Sequence, residues 1–311
     1  MSNCSRHHSQ YFYHASAYGL AGEIERPSRH SIPTQAATVL GAGGGRGYQR
    51  VENFSFDGII SFKAAFAEVG GSFDECHNRH TSYACSVIEG LNILDVVTAD
   101  RVVSRMAIYS PIYPSREERA QGKKPKPNSE EGDETGEHSF DITGSHFQNL
   151  RVAGHLINVK LATHVFRKHN TYSKIAKAPK DTVNWILGSK FSGLKKDELA
   201  RLEDTYHAIG GMGEIVQQWT GKEDRTDAGR FIFSPANDLK LSDHIAGDTE
   251  LEGFGSFIFV PKFGVVRLPE LVVTRHCRTL TMLRVQMCST GTGGSDMGGT
   301  HGSGGTGSGG G

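Results

Sequence analysis

The hydrophobic pattern of this chain has a period of two residues over most of its length. Residues 11–17 (YFYHASA) alternate aromatic with small or polar side chains, and Ile157, Val159 and Leu161 alternate with Asn158 and Lys160, as strands with one buried face do. Residues 54–69 carry Phe54, Phe56, Ile59, Ile60, Phe62, Ala65 and Phe66 mostly at this spacing. A slip at Gly58 there predicts one long bent strand or a hairpin. Residues 81–89 predict a further strand. In residues 91–108 (LNILDVVTADRVVSRMAI), two β-forming runs, 93–97 and 102–108, flank Thr98-Ala99-Asp100-Arg101. That tetrapeptide reads as the bend of a hairpin, because Asp bonds nearby backbone N–H groups, and it offers Asp100 and Arg101 as a charged recognition tip.

The period changes twice. Residues 109–137 hold four prolines, many charges and almost no apolar residues after Tyr113, which predicts a long exposed loop of basic and acidic halves. Strand character returns at 138–166, with a hairpin signal at Ala153-Gly154-His155. Residues 166–227 then take on helical composition: Leu199, Leu202, Tyr206 and Ile209 fall on one helical face and Gly210-Gly211 follows as a stop. From Phe231 the β pattern resumes in FIFSPA, GFGSFIFVPKFGVVRLPELVV and TLTMLRVQM.

These elements predict a mainly β fold: an antiparallel sandwich or barrel-like domain with an α-helical insertion. The domain spans 11–287, interrupted by the charged loop at 109–137 and the helical insertion at 166–227. Disordered tails are expected at 1–10 and, from glycine-rich composition, at 288–311.

Composition narrows the functional classes. With 34 basic and 34 acidic side chains among 311 residues the formal charge is zero, so no global field steers the chain to nucleic acid or an anionic membrane. No apolar run reaches the roughly 20 residues needed to cross a bilayer, and no signal-like apolar segment follows the start. A cytoplasmic location is therefore the default expectation, with surface display only by a non-Sec route. Five scattered cysteines form no CxxC pair, and Cys76 and Cys85 would bridge only in an oxidising compartment.

Candidate chemistry is sparse. The segment GAGGGRG at 41–47 lacks GK[ST] and precedes strand-like YQRVENFSF, whereas a phosphate loop needs a helix behind it, so it reads as a glycine turn. Cys76, His77 and His80 in ECHNRH hold metal-ligating atoms at turn spacing, without the fourth ligand that structural zinc uses. His146, His155, His164 and His169 do not converge by strand alternation. No GxSxG stands in the chain and no catalytic residue is assigned. Trp185 and Trp219, both in the helical insertion, are candidate ligand-stacking residues as well as core anchors. No cofactor is predicted.

The order LNILDVVTADRVVSRMAI, a variable loop, then FQNLRVAGHLINVKL resembles a pattern in uncharacterised bacterial β-rich proteins, including surface domains of the choice-of-anchor type. Over about 80 residues, that resemblance implies a β domain displayed outside the cell and carries no catalytic residue across. The functional expectation is a non-enzymatic structural or binding β module, partnered by itself or another protein, with no nucleic acid and no membrane insertion. The alternatives are a metal-assisted hydrolase using Cys76, His77 and His80, and a small-ligand-binding barrel with the helical insertion as lid.

Overall fold

Alternation of side chains builds strands here, and turn residues able to take positive φ fix where they fold back. The computed structural model describes residues 11–24, 30–112, 122, 137–178, 230–241, 251–254, 256–287 and 293–306. Strands β1 (Tyr11–Ile24), β2 (His30–Gln35) and β3 (Thr38–Val39) come first. Then β4 (Gly45–Phe56), β5 (Ile60–Asp74), β6 (Arg79–Ile93) and β7 (Val97–Pro111) form an antiparallel meander of long hairpins. Short strands β8 (Ser139–Asp141), β9 (His146–Gln148), β10 (Arg151–Val152) and β11 (His155–Leu161) lead to helices α1 (Thr163–Lys168) and α2 (Tyr172–Ala176). The chain continues through β12 (Arg230–Phe233), β13 (Ala236–Leu241), β14 (Glu252–Phe254), β15 (Phe257–Val260), β16 (Gly264–Arg267), β17 (Glu270–Thr274), β18 (Arg278–Met287) and β19 (Gly293–Thr306).

Two antiparallel sheets result. A ten-stranded sheet runs β14-β15-β16-β18-β19-β1-β2, with β17 and β12 off β18 and β3 on β1. A nine-stranded sheet runs β13-β11-β10-β7-β6-β5-β4, with β8 and β9 on β7. The sandwich expectation holds, and the sheets do not close into a barrel among the described residues.

The layers approach closely where β1 and β19 lie against β5, β6 and β7. Sandwich sheets usually stand about 10 Å apart, and here buried Ala15, Ala17, Ala67 and Ala84 replace large side chains. A Cβ on Gly19 would lie 3.0 Å from Ala65 Cβ. Larger side chains, among them Phe62, Ile88, Leu91, Phe166, Phe233 and Leu271, fill the rest of the interior.

The tetrapeptide Thr98-Ala99-Asp100-Arg101 is not the bend: it lies within β7, and the hairpin turns at Leu94-Asp95. Both residues have positive φ (50° and 56°), the Val96 N–H donates to the Ile93 carbonyl, and Asn92 and Asp95 exchange two hydrogen bonds (2.6 and 2.8 Å). What imitates a turn in the sequence is a change of phase. β7 buries Val97 and Ala99, then Val102, Ser104, Met106 and Ile108. The neighbouring strands change phase at the same row: β5 between Phe62 and Ala65, β6 between Ile88 and Leu91. This row crosses the sheet through Asn53, Lys63, Gly90, Asp100 and Asn149, three of which (Asn53, Gly90 and Asn149) have positive φ. Register is unchanged on either side, Glu52 facing Ala64 and Phe54 facing Phe62, because all strands rotate together. A single strand that rotated alone would turn its apolar set outward.

Other expectations divide. The slip at Gly58 is a hairpin, with Asp57 and Gly58 at positive φ, and Ala153-Gly154 is the hairpin expected there. The glycine segment after Leu40 is a tight turn, the Gly44 N–H donating to the Gly41 carbonyl at 2.9 Å. Residues 109–111, read as the start of the charged loop, belong to β7. Of the helical insertion, α1 begins earlier than expected, at Thr163, and residues 179–229 lie outside the described residues. The glycine-rich stretch is corrected most: residues 293–306, expected in a disordered tail, form β19 between β1 and β18. Glycine weakens a strand through backbone entropy, but hydrogen bonding along both edges offsets that cost. No helix among the described residues is long and apolar enough to cross a membrane.

Candidate functional site

A group of aromatic, histidine and serine side chains in mutual contact lies at the end of the sandwich where β1 starts, β6 starts and β7 ends. Strand alternation directs Tyr11 and Tyr13 of β1 inward, and both are buried. Antiparallel pairing sets His80 of β6 beside Ser110 of β7 and Phe73 of β5. The Tyr11 ring stacks on the His80 imidazole at 4.0 Å with 3° between planes, and Tyr13 meets it edge-on at 5.5 Å. Tyr13 Oη shares a hydrogen bond with His80 Nδ1 (2.8 Å).

The second half of the group is a relay. Tyr11 Oη and Ser110 Oγ are 2.6 Å apart, and Ser110 Oγ and His138 Nδ1 are 2.7 Å apart. His138 is drawn in by the buried Arg278, whose Nη2 donates to the His138 carbonyl at 3.3 Å. The preceding Glu137 carboxylate accepts from the Ser173 N–H (2.8 Å) and from its hydroxyl, tying the segment to the start of α2. Thr171 caps the same helix by accepting from the Lys174 N–H.

The surroundings disfavour a charge on either histidine. Burial, then the nearby Arg278 and His276 charges, push the His138 imidazole down to about 4 against the opposing pull of Glu137. Burial also lowers His80 and raises the Tyr13 phenol. Ser110 and His138 have the atoms of a nucleophile and its base, but a nucleophile must reach its substrate. Ser110 is 1% exposed and closed in by the tyrosines. The geometry fastens β1 to the nine-stranded sheet.

The residues singled out from sequence are dispersed. Cys76 and His77 are exposed on the β5–β6 turn, where His77 Nδ1 pairs with Asp74 Oδ2 at 2.8 Å, while His80 points into the tyrosines. Among the described residues no three His, Cys, Asp or Glu side chains gather as metal ligands. Cys76 and Cys85 are both free thiols. Asp100 and Arg101 sit mid-strand: Asp100 accepts from Asn149 Nδ2 (2.6 Å) and Arg101 pairs with Glu89 across the ladder (3.7 Å). Trp185 and Trp219 lie outside the described residues. Tyr11, Tyr13, Ser110 and His138 were not singled out. The spacing of Tyr11 and Tyr13 marks one strand face, whereas nothing local signals that His138 returns to Ser110.

Fold and site together define a two-sheet antiparallel β sandwich whose end is closed by a tyrosine–histidine–serine plug. The chain belongs to the family described as a domain of unknown function (DUF8256), matched over residues 11–121 and 129–274. All five residues of the plug fall within those ranges. No curated protein and no solved structure matches the chain.

Proposed function

We propose that this protein is a non-enzymatic structural or binding β module that works by association along the edge of β4. The observation that carries the reading is the length and exposure of that edge. β4 is 12 residues long, pairs with β5 alone among the described residues, and buries none of its side chains. Tyr48 at its middle is 58% exposed. An edge of this kind presents a row of backbone donors and acceptors on which another strand can form. Arg46, Arg50 and Glu52 stand along it, and charged side chains discourage indiscriminate pairing while admitting a complementary strand.

Selection of peptides from a random library against the full chain tests this reading. Bound peptides should slow amide exchange in residues 45–52. Selected binders that protect only other surfaces, or a selection that yields none, would remove the edge as the working surface.

A further inference from the structure

The edge of β4 is complementary to itself. Its inner face is marked by Gly47, where a Cβ would meet Thr38 Oγ1 and Val69, and by Val51, which packs against the core. Its outer face therefore carries Arg46, Tyr48, Arg50 and Glu52, with the Tyr48 ring 6.4 Å from that of Phe66. The regular part of the strand runs from Gly45 to the positive-φ residue Asn53, and Gln49 is its midpoint. We infer that a second copy of this chain pairs antiparallel along β4, with the two-fold axis at Gln49, joining the two nine-stranded sheets into one.

That register sets Arg46 of each copy opposite Glu52 of the other, and Tyr48 of each opposite Arg50 of the other. Opposite charges meet at both ends of the pairing, and a guanidinium meets an aromatic ring twice near its centre. Neighbouring registers lack this. Centring on Tyr48 brings Arg46 against Arg50, and centring on Arg50 brings that residue against itself. Centring on Val51 places the Asn53 irregularity inside the pairing. The contact is isologous, so it closes at two copies and leaves no free copy of the same edge.

This inference rests on the β4-edge reading and names its occupant. Sedimentation velocity of the full chain across the micromolar range should show a monomer–dimer equilibrium. Arg46→Glu sets like charges at both ends and should weaken the dimer tenfold or more, and adding Glu52→Arg should restore it. Both side chains are exposed, so a cooperative thermal transition will report that each variant folds. In a background without Cys4, Cys76 and Cys288, Gln49→Cys should cross-link into a dimer under mild oxidation. A chain that stays monomeric, a dimer indifferent to the charge exchange, or a Gln49→Cys variant that does not cross-link overturns the inference. Peptides that still protect residues 45–52 would show the edge-binding reading surviving that failure.

Discussion

Lowering the pH from 7 to 5 will weaken this fold through His138. The imidazole titrates at about 4 in the folded protein against an ordinary value of 6.5. The unfolded chain therefore binds the extra proton first as pH falls. Stability from this residue is fully present above pH 6.5, drains away as pH drops toward 4, and is constant below that. Between pH 7 and 5 the loss is about 2 kcal/mol, and by pH 4 about 3 kcal/mol, both ceilings because the ring is partly exposed. The assay is urea unfolding of the native chain and of His138→Gln at both pH values. The variant keeps an amide beside Ser110 but cannot titrate. The native chain should lose about 2 kcal/mol more than the variant over this interval. His80 and His169, which burial also lowers, titrate in both proteins and cancel in the difference. Equal losses would refute the assignment of acid sensitivity to His138.

Two further predictions concern the fold. Ending the chain after Met287 removes β19 from between β1 and β18, so the melting temperature should fall by about 5 °C or more, as for a loss of about 3 kcal/mol or more. An unchanged melting temperature would mean that residues 293–306 contribute nothing. Leu94 is 46% exposed and held at φ 50°, a conformation that asparagine adopts more readily than leucine. Leu94→Asn should therefore stabilise the protein by roughly 1 kcal/mol in thermal or urea unfolding, and a destabilised variant would contradict the turn geometry.

The strands were legible because their signal is local: alternation along one strand depends only on which face is buried. The Asp57-Gly58 and Ala153-Gly154 reversals were legible for the same reason, since turn residues announce their own backbone. The Leu94-Asp95 turn was not, because a leucine at positive φ carries no turn signal and the change of phase after Ala99 imitated one three residues downstream. An irregularity shared by neighbouring strands is a property of the sheet, and no single strand records that its neighbours rotate with it.

By itself, the sequence determined a mainly antiparallel β protein and most of its long strands. Only the tertiary structure decided that His138, beyond the charged stretch of the sequence, closes a relay begun by Tyr11, since their numbers differ by 127 and no short-range pattern links them. It also decided that residues 293–306 become a strand. Glycine has little intrinsic preference for strands, and its composition reads as disorder. Between β1 and β18, hydrogen bonds on both edges reverse that preference, a physical term that exists only once the neighbours are in place.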